Sequence, residues 1–169
     1  MADCIILIGF MGVGKSTVGK LLASRLQYEF LDTDELIKEK FKMSIPEIFE
    51  KFGEEYFRKG EKEVIKSIPL DTKAVIACGG GSVIDPDNVE CLKKLGKIIY
   101  LKAKPETLAM RVSGNHDRPL LESDGQAVID KIISLIEKRE KIYSECCDES
   151  IDTDEYNAKK TVEILIGIV

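Results

Sequence analysis

Eight residues near the start of the chain, Gly9-Phe10-Met11-Gly12-Val13-Gly14-Lys15-Ser16, constrain its fold more than any other segment. They fit G-x-x-x-x-G-K-[ST], a pattern that average residue frequencies would produce somewhere in a chain of 169 residues less than roughly one time in a hundred. An apolar run, Cys4 to Ile8, leads into it. Val18, Leu21, Leu22 and Leu26 follow at the 3.6-residue period of a helix. Strand, glycine-rich turn and helix start in that order aim backbone N–H groups at an anion. Lys15 is expected to reach the β and γ phosphates of a nucleoside triphosphate, with the Ser16 hydroxyl on Mg²⁺.

The rest of the chain alternates short β-rich runs with longer helical patterns. Cys4 to Ile8, Glu29 to Leu31, Ala74 to Ala77, Lys97 to Leu101 and Glu149 to Ile151 read as five strands, and Val128, Ile132, Ile136 and Tyr143 mark a late helix. That alternation predicts an α/β domain over 1–169, a parallel sheet with helices on both faces. Two insertions depart from a minimal βαβ pattern. The first, about 33–68, is helical throughout, with Ser44 and Glu47 as a capping box before an Ile48/Phe49/Phe52 face. The second, about 113–125, gathers Ser113-Gly114-Asn115, Arg118-Pro119 and Asp124-Gly125 between two helices, the composition of a lid.

A triphosphate site needs an acid near the metal, and the third strand ends in Cys78-Gly79-Gly80-Gly81 instead. Strand two ends in Asp32-Thr33-Asp34. In extended chain Asp32 and Asp34 project to the same side, one able to serve the metal and the other an acceptor hydroxyl. Asp152 and Asp154, closing strand five, compete for the role, and capping a following helix is the plainer use of either pair.

Arginine is scarce: five residues, Arg25, Arg58, Arg111, Arg118 and Arg139, against twenty lysines. A planar fork binds carboxylate or phosphate in a way lysine does not. Arg139 lies on the inward stripe with Ile132, Ile136 and Tyr143. Glu61, on the face of Phe57, Val64 and Ile68, can pair with Arg58 three residues earlier. Arg111 and Arg118 flank the lid, Arg25 reads as ordinary surface, and a structural ion pair remains the alternative for each of the others. Gly79, Gly80 and Gly81 permit close approach of backbone to a ligand. His116, the only histidine, has no partner at metal-ligand spacing.

Five cysteines without a C-x-x-C pair argue against a disulfide framework or zinc site and for free, mostly buried thiols. A net charge of −5 argues against nucleic-acid wrapping. No apolar run reaches the roughly 20 residues of a membrane span. The amino terminus has no secretory pattern, so the protein is expected in the cytoplasm; no membrane or nucleic-acid partner is expected, and the chain is expected to be a monomer.

Together the loop Gly9 to Ser16 with Thr17, Asp32-Thr33-Asp34, Phe57-Arg58 with Glu61, Gly79 to Gly81, Arg118-Pro119-Leu120 and Arg139 with Tyr143 resemble the shikimate kinase family over almost the whole chain. The resemblance implies a three-layer α/β/α P-loop kinase fold related to nucleoside monophosphate kinases. It implies transfer of the γ-phosphoryl group of ATP, the co-substrate, to the 3-hydroxyl of shikimate, in aromatic amino acid and chorismate biosynthesis. Gly12, Val13, Gly14, Lys15, Ser16 and Thr17 would hold ATP, Arg111 would lie beside adenine, and Arg118 would close over the transferring phosphate. Asp32 would stand near Mg²⁺ with Ser16, and Asp34 would contact the shikimate hydroxyls. Arg58, Arg139 and the Gly80 backbone would hold its carboxylate and ring, with Ile45, Phe49, Phe57, Pro119 and Leu120 shaping the pocket. Lys15, Asp34 and Arg118 would carry the chemistry. Where many members have a basic residue after the last strand, this chain has Asp154-Glu155-Tyr156-Asn157, and Tyr156 offers an aromatic contact in its place.

Other readings are a gluconate or nucleoside monophosphate kinase, or a catalytically silent nucleotide-binding module. A guanine-nucleotide switch is disfavoured, because neither N-K-x-D nor D-x-x-G follows the loop.

Overall fold

The computed structural model describes residues 3–113 and 125–169. Its elements run β1 (Cys4–Ile8), α1 (Lys15–Leu26), β2 (Glu29–Asp32), α2 (Thr33–Phe41), α3 (Ile45–Ser67), β3 (Ala74–Ala77), a 3₁₀ turn (Ser82–Ile84), α4 (Pro86–Leu95), β4 (Gly96–Lys102), α5 (Pro105–Ser113), α6 (Gly125–Cys146), β5 (Glu149–Asp152) and α7 (Ala158–Ile166). The five strands form one parallel sheet in the order β2-β3-β1-β4-β5. Each strand lies where the hydrophobic runs place it, with extensions to Asp32, Gly96, Lys102 and Asp152.

Strand side chains alternate between the faces, and the two cores follow that period. Ile5, Leu7, Val75, Ile99 and Leu101 face a layer that includes Val18 and Leu22 of α1 and Val162 and Leu165 of α7. Ile6, Ile8, Ile76, Ile98 and Tyr100 face Ile65 of α3 and Leu92 and Leu95 of α4 on the other side. Because all strands are parallel, their carboxyl ends lie along one edge, and the phosphate loop, Asp32-Thr33-Asp34 and the triple glycine all leave from that edge.

Helix α6 joins both layers. Ile132 and Ile136 pack into the first core, whereas Tyr143 and Cys146 pack into the second. Its middle therefore crosses the end of the sheet, and Arg139 sits in that crossing.

The 33–68 stretch is helical, and the Ser44/Glu47 capping box forms as expected. The Ile48/Phe49/Phe52 face does not form as one buried stripe. Ile48 is fully buried, but Phe49 and Phe52 are 37% and 49% exposed. The helix breaks at Gly53 (φ 81°), so the residues before it follow a different axis from those after it. Phe49 packs on the Phe57 ring at 4.7 Å, and Phe52 on Tyr56 at 4.7 Å. The cysteines are free, with Cys4, Cys78 and Cys146 buried and Cys91 and Cys147 partly so. Among the described residues no helix is long and apolar enough to cross a membrane.

At the start of β4, Gly96 lies opposite Cys4, and a Cβ there would stand 1.9 Å from the Cys4 carbonyl oxygen. The clash is with backbone and cannot be relieved by a rotamer. Gly96→Ala should cost about 1–3 kcal/mol or more, read as a lower denaturation midpoint. An unchanged midpoint would contradict the close approach of β1 and β4.

Candidate active site

The loop between β1 and α1 turns at Gly14, whose φ of 101° is left-handed and open to glycine without strain. Helix α1 then starts at Lys15, its first N–H groups unpaired within the helix and directed at whatever fills the loop. A cavity of about 400 Å³ opens there, lined by Gly12, Lys15, Ser16, Thr17, Asp32 and Asp34 among others. Lys15 Nζ donates to the carbonyls of Gly9 (2.8 Å) and Phe10 (3.0 Å). Ser16 Oγ donates to Asp32 Oδ2 at 2.8 Å, although β1, which leads into α1, is separated from β2 by β3.

Asp32 and Asp34 do share a cavity, but for a different reason from the strand period. The chain turns helical at Thr33, and Asp32 becomes the N-cap of α2, its Oδ1 accepting from the Asp34 N–H at 3.0 Å. Capping fixes one carboxylate oxygen of Asp32, and Ser16 takes the other. Asp34, in the first turn of α2, is left free of that duty. Burial pushes its carboxyl above the ordinary range, and the charges of Asp32 and Glu61 add to the effect. The competing pair is structural. Asp152 Oδ1 accepts from the Asp154 N–H at 2.9 Å, and Asp154 Oδ2 from the Lys104 N–H at 2.6 Å.

Beyond Asp34 lies a larger cavity of about 950 Å³, reached by Phe49, Phe57, Arg58, Glu61, Gly81 and Arg139. It shares Ser16, Asp32, Asp34, Gly79 and Gly80 with the phosphate-loop cavity, so the two meet at the acid pair. Arg58 Nη1 donates to Glu61 Oε2 at 2.9 Å, and Glu61, 1% exposed, also accepts from Ser82 Oγ at 2.7 Å. Arg139 Nη1 donates to the Gly80 carbonyl at 3.3 Å and stacks over Phe10 at 5.8 Å. A third cavity of about 290 Å³ continues from Gly12, Gly14 and Thr17 in the opposite direction, toward Arg111, Thr153 and Tyr156. Arg111 Nη1 reaches Val13 O and Thr153 Oγ1, both at 3.4 Å. Arg25 is exposed.

The expected lid, with His116, Arg118, Pro119 and Leu120, lies outside the described residues. Several residues that line or brace the site have no counterpart in the motifs read from the sequence. Lys38 lines the acid-pair cavity, paired with Glu35 at 2.6 Å, and its place one helical turn after Asp34 was a usable signal. Thr33 Oγ1, fully buried, accepts from the Gly79 N–H at 2.9 Å and ties the end of β2 to the triple glycine. Ser82 and Thr153 gave no signal, because each acts on a segment remote in sequence.

The family model described as Shikimate kinase matches residues 11–168. A shikimate kinase of Caldanaerobacter subterraneus subsp. tengcongensis is 44% identical over 162 residues, 96% of this chain and 93% of its own. One from Caldicellulosiruptor saccharolyticus is 41% identical over 164 residues, 97% of this chain and 94% of its own. Among solved structures, shikimate kinase from Acinetobacter baumannii in complex with shikimate superposes with a TM-score of 0.89 at 34% identity, covering 99% of this chain and 93% of that one. The Aquifex aeolicus shikimate kinase gives 0.81 at 38% identity, covering 98% and 95%.

Burial lowers the Lys15 pKa to about 8, despite the opposing pull of Asp34 and Asp32. Desolvation disfavours the ammonium form, so the shift is downward from the usual value of about 10.4. After reductive ¹³C-methylation, an NMR titration should show one lysine with a midpoint near pH 8. That signal should vanish in Lys15→Met. Uniform titration of all lysines near their ordinary value would contradict the burial of Nζ.

Proposed function

The chain belongs to the shikimate kinase family, and on that premise we propose that it transfers the γ-phosphoryl group of ATP to the 3-hydroxyl of shikimate with the residues assigned below. The observation that carries this reading is the meeting of two cavities at Asp34, one built on the phosphate loop and the other holding Arg58 and Arg139. Two arginines beside a carboxylate fit a small hydroxylated acid. A nucleoside monophosphate acceptor would instead call for a base slot on that side.

Backbone N–H groups from Gly12 to Ser16 and the side chains of Lys15 and Thr17 hold the phosphates, at the positive end of α1. The third cavity takes adenine, with Arg111 on one wall and Tyr156 on the other. Shikimate enters the large cavity, its carboxylate on Arg58 and Arg139, its ring against Phe49 and Phe57, and Ile45 at the wall. The backbone of Gly79 to Gly81 closes that side, and Glu61 holds the Arg58 fork in place. Asp34 accepts a hydrogen bond from the attacking hydroxyl and takes its proton as the bond to phosphorus forms. Its raised pKa brings it nearer to the task of a base. Lys15 and, from the lid, Arg118 offset charge developing on the transferring group. Rate enhancement comes mainly from placement of two bound substrates in line.

Mg²⁺ fits the residues present. Ser16 Oγ and Asp32 Oδ2 are hard oxygen donors 2.8 Å apart at the phosphate loop. Among the described residues no group of three or more His, Cys, Asp or Glu forms an all-protein cage. Kinase Mg²⁺ needs one or two protein oxygens, the remainder being phosphate and water. Ser16 and Asp32 would hold the ion, which when bound would neutralise phosphate charge. We also read the enzyme as a cytoplasmic monomer.

ADP release, measured with shikimate, gluconate and nucleoside monophosphates offered separately, should occur with shikimate alone. Turnover of another acceptor in its place would overturn the substrate assignment. Asp34→Asn should lower kcat by about 10²–10⁴ with a smaller effect on shikimate affinity. A loss confined to KM would make Asp34 a binding residue rather than a base.

A further inference from the structure

The Gly80 carbonyl is held twice. Tyr143 Oη donates to it at 2.5 Å and Arg139 Nη1 at 3.3 Å. The short bond belongs to the neutral phenol and the long one to the charged guanidinium, the reverse of the order expected if Arg139 were the principal partner. Tyr143 is 1% exposed, and its ring lies 5.0 Å from that of Tyr100. Tyr100 is itself fastened by its hydroxyl to Glu140 Oε2 at 2.5 Å. The phenol of Tyr143 therefore has little freedom. Burial raises its pKa, so it stays protonated and remains a donor.

We propose that Tyr143 is a positioning residue for acceptor binding: by satisfying the Gly80 carbonyl, it leaves Arg139 free to turn its fork to the shikimate carboxylate. This rests on the assignment of Arg139 to that carboxylate. A carbonyl stripped of its hydrogen-bond partners inside a protein carries a desolvation penalty, whereas one partner suffices to avoid most of it. With Tyr143 in place, drawing Arg139 Nη1 toward a carboxylate strands nothing. Without the hydroxyl, Arg139 becomes the side chain on which Gly80 depends, and each substrate carboxylate must compete with that carbonyl for it. The same hydroxyl also fixes the Gly80–Gly81 peptide plane, which forms part of the acceptor cavity.

The test is a double-mutant cycle on binding, with shikimate and ATP titrated calorimetrically into the wild type, Tyr143→Phe, Arg139→Ala and the double variant. Phenylalanine keeps the ring packing and removes the hydroxyl, which donates to Gly80 and also meets the Arg139 side chain. Tyr143→Phe should weaken shikimate binding about five- to twentyfold, the range set by one unpaired carbonyl, and change ATP binding less than about twofold. In the Arg139→Ala background the same substitution should add almost nothing, since the carbonyl is then unpaired with or without substrate. Unchanged shikimate affinity in Tyr143→Phe would overturn the proposal. So would an equal loss for ATP, or the same loss with and without Arg139. A Tyr143→Phe chain that does not fold would also overturn it, by making the hydroxyl a folding determinant. If Arg139→Ala itself leaves shikimate binding intact, the acceptor role of Arg139 fails, a separate result from failure of the coupling.

Discussion

Parallel pairing of β1 with β3 on one side and β4 on the other is the constraint from which the site follows. It places the carboxyl ends of all five strands on one edge, so each strand delivers its next residues to the same place. Strand β1 delivers the phosphate loop, β2 the acid pair, β3 the triple glycine and β5 the wall of the third cavity. The positive end of α1 stands at the centre of that edge because β1 is the central strand. Cross-strand ties complete the arrangement. Ser16 reaches Asp32 over β3, and Thr33 reaches Gly79, so three loops are fixed against one another before any ligand contributes.

The electrostatics of the edge are balanced within short range. Lys15 is half-buried, its Nζ held by two carbonyls with Asp34 and Asp32 nearby, and desolvation outweighs their attraction. For Asp34 the same burial acts in the opposite direction on pKa, and the neighbouring Asp32 and Glu61 reinforce it. Desolvation thus moves both groups toward neutrality. A polyphosphate arriving beside Lys15 would oppose its downward shift, because a nearby negative charge favours the ammonium form.

The layered fold was legible because hydrophobic runs of five or so residues alternate with helical periods, and each strand lies within a residue of its run. The phosphate loop was legible because its chemistry is local, with every residue in one octapeptide. The acid pair was legible in position but not in cause. Sequence spacing suggests a shared strand face, whereas capping of α2 by Asp32 sets the geometry. The Phe49/Phe52 face misled because a helical period assumes a straight axis, and Gly53 breaks it. Partners such as Ser82 for Glu61, or Thr153 for Arg111, are 21 and 42 residues apart, and no local pattern encodes them.

The two arginines of the larger cavity are restrained by different chemistry, and the difference suits the roles proposed for them. Arg58 is bound to a buried carboxylate, Glu61, whose second oxygen is held by Ser82. Removing that guanidinium would leave a buried charge unpaired, so its position is costly to change. Arg139 rests on neutral partners, the Gly80 carbonyl at 3.3 Å, the Tyr143 hydroxyl and the face of Phe10, contacts that are individually weak. One arginine is a fixed reference, and the other can adjust. A ligand carboxylate gripped by both would be oriented by the first and closed upon by the second. That division needs a rigid support under the mobile partner, which α6 supplies by burying Tyr143 in the core on the far side of the sheet from Ile132 and Ile136.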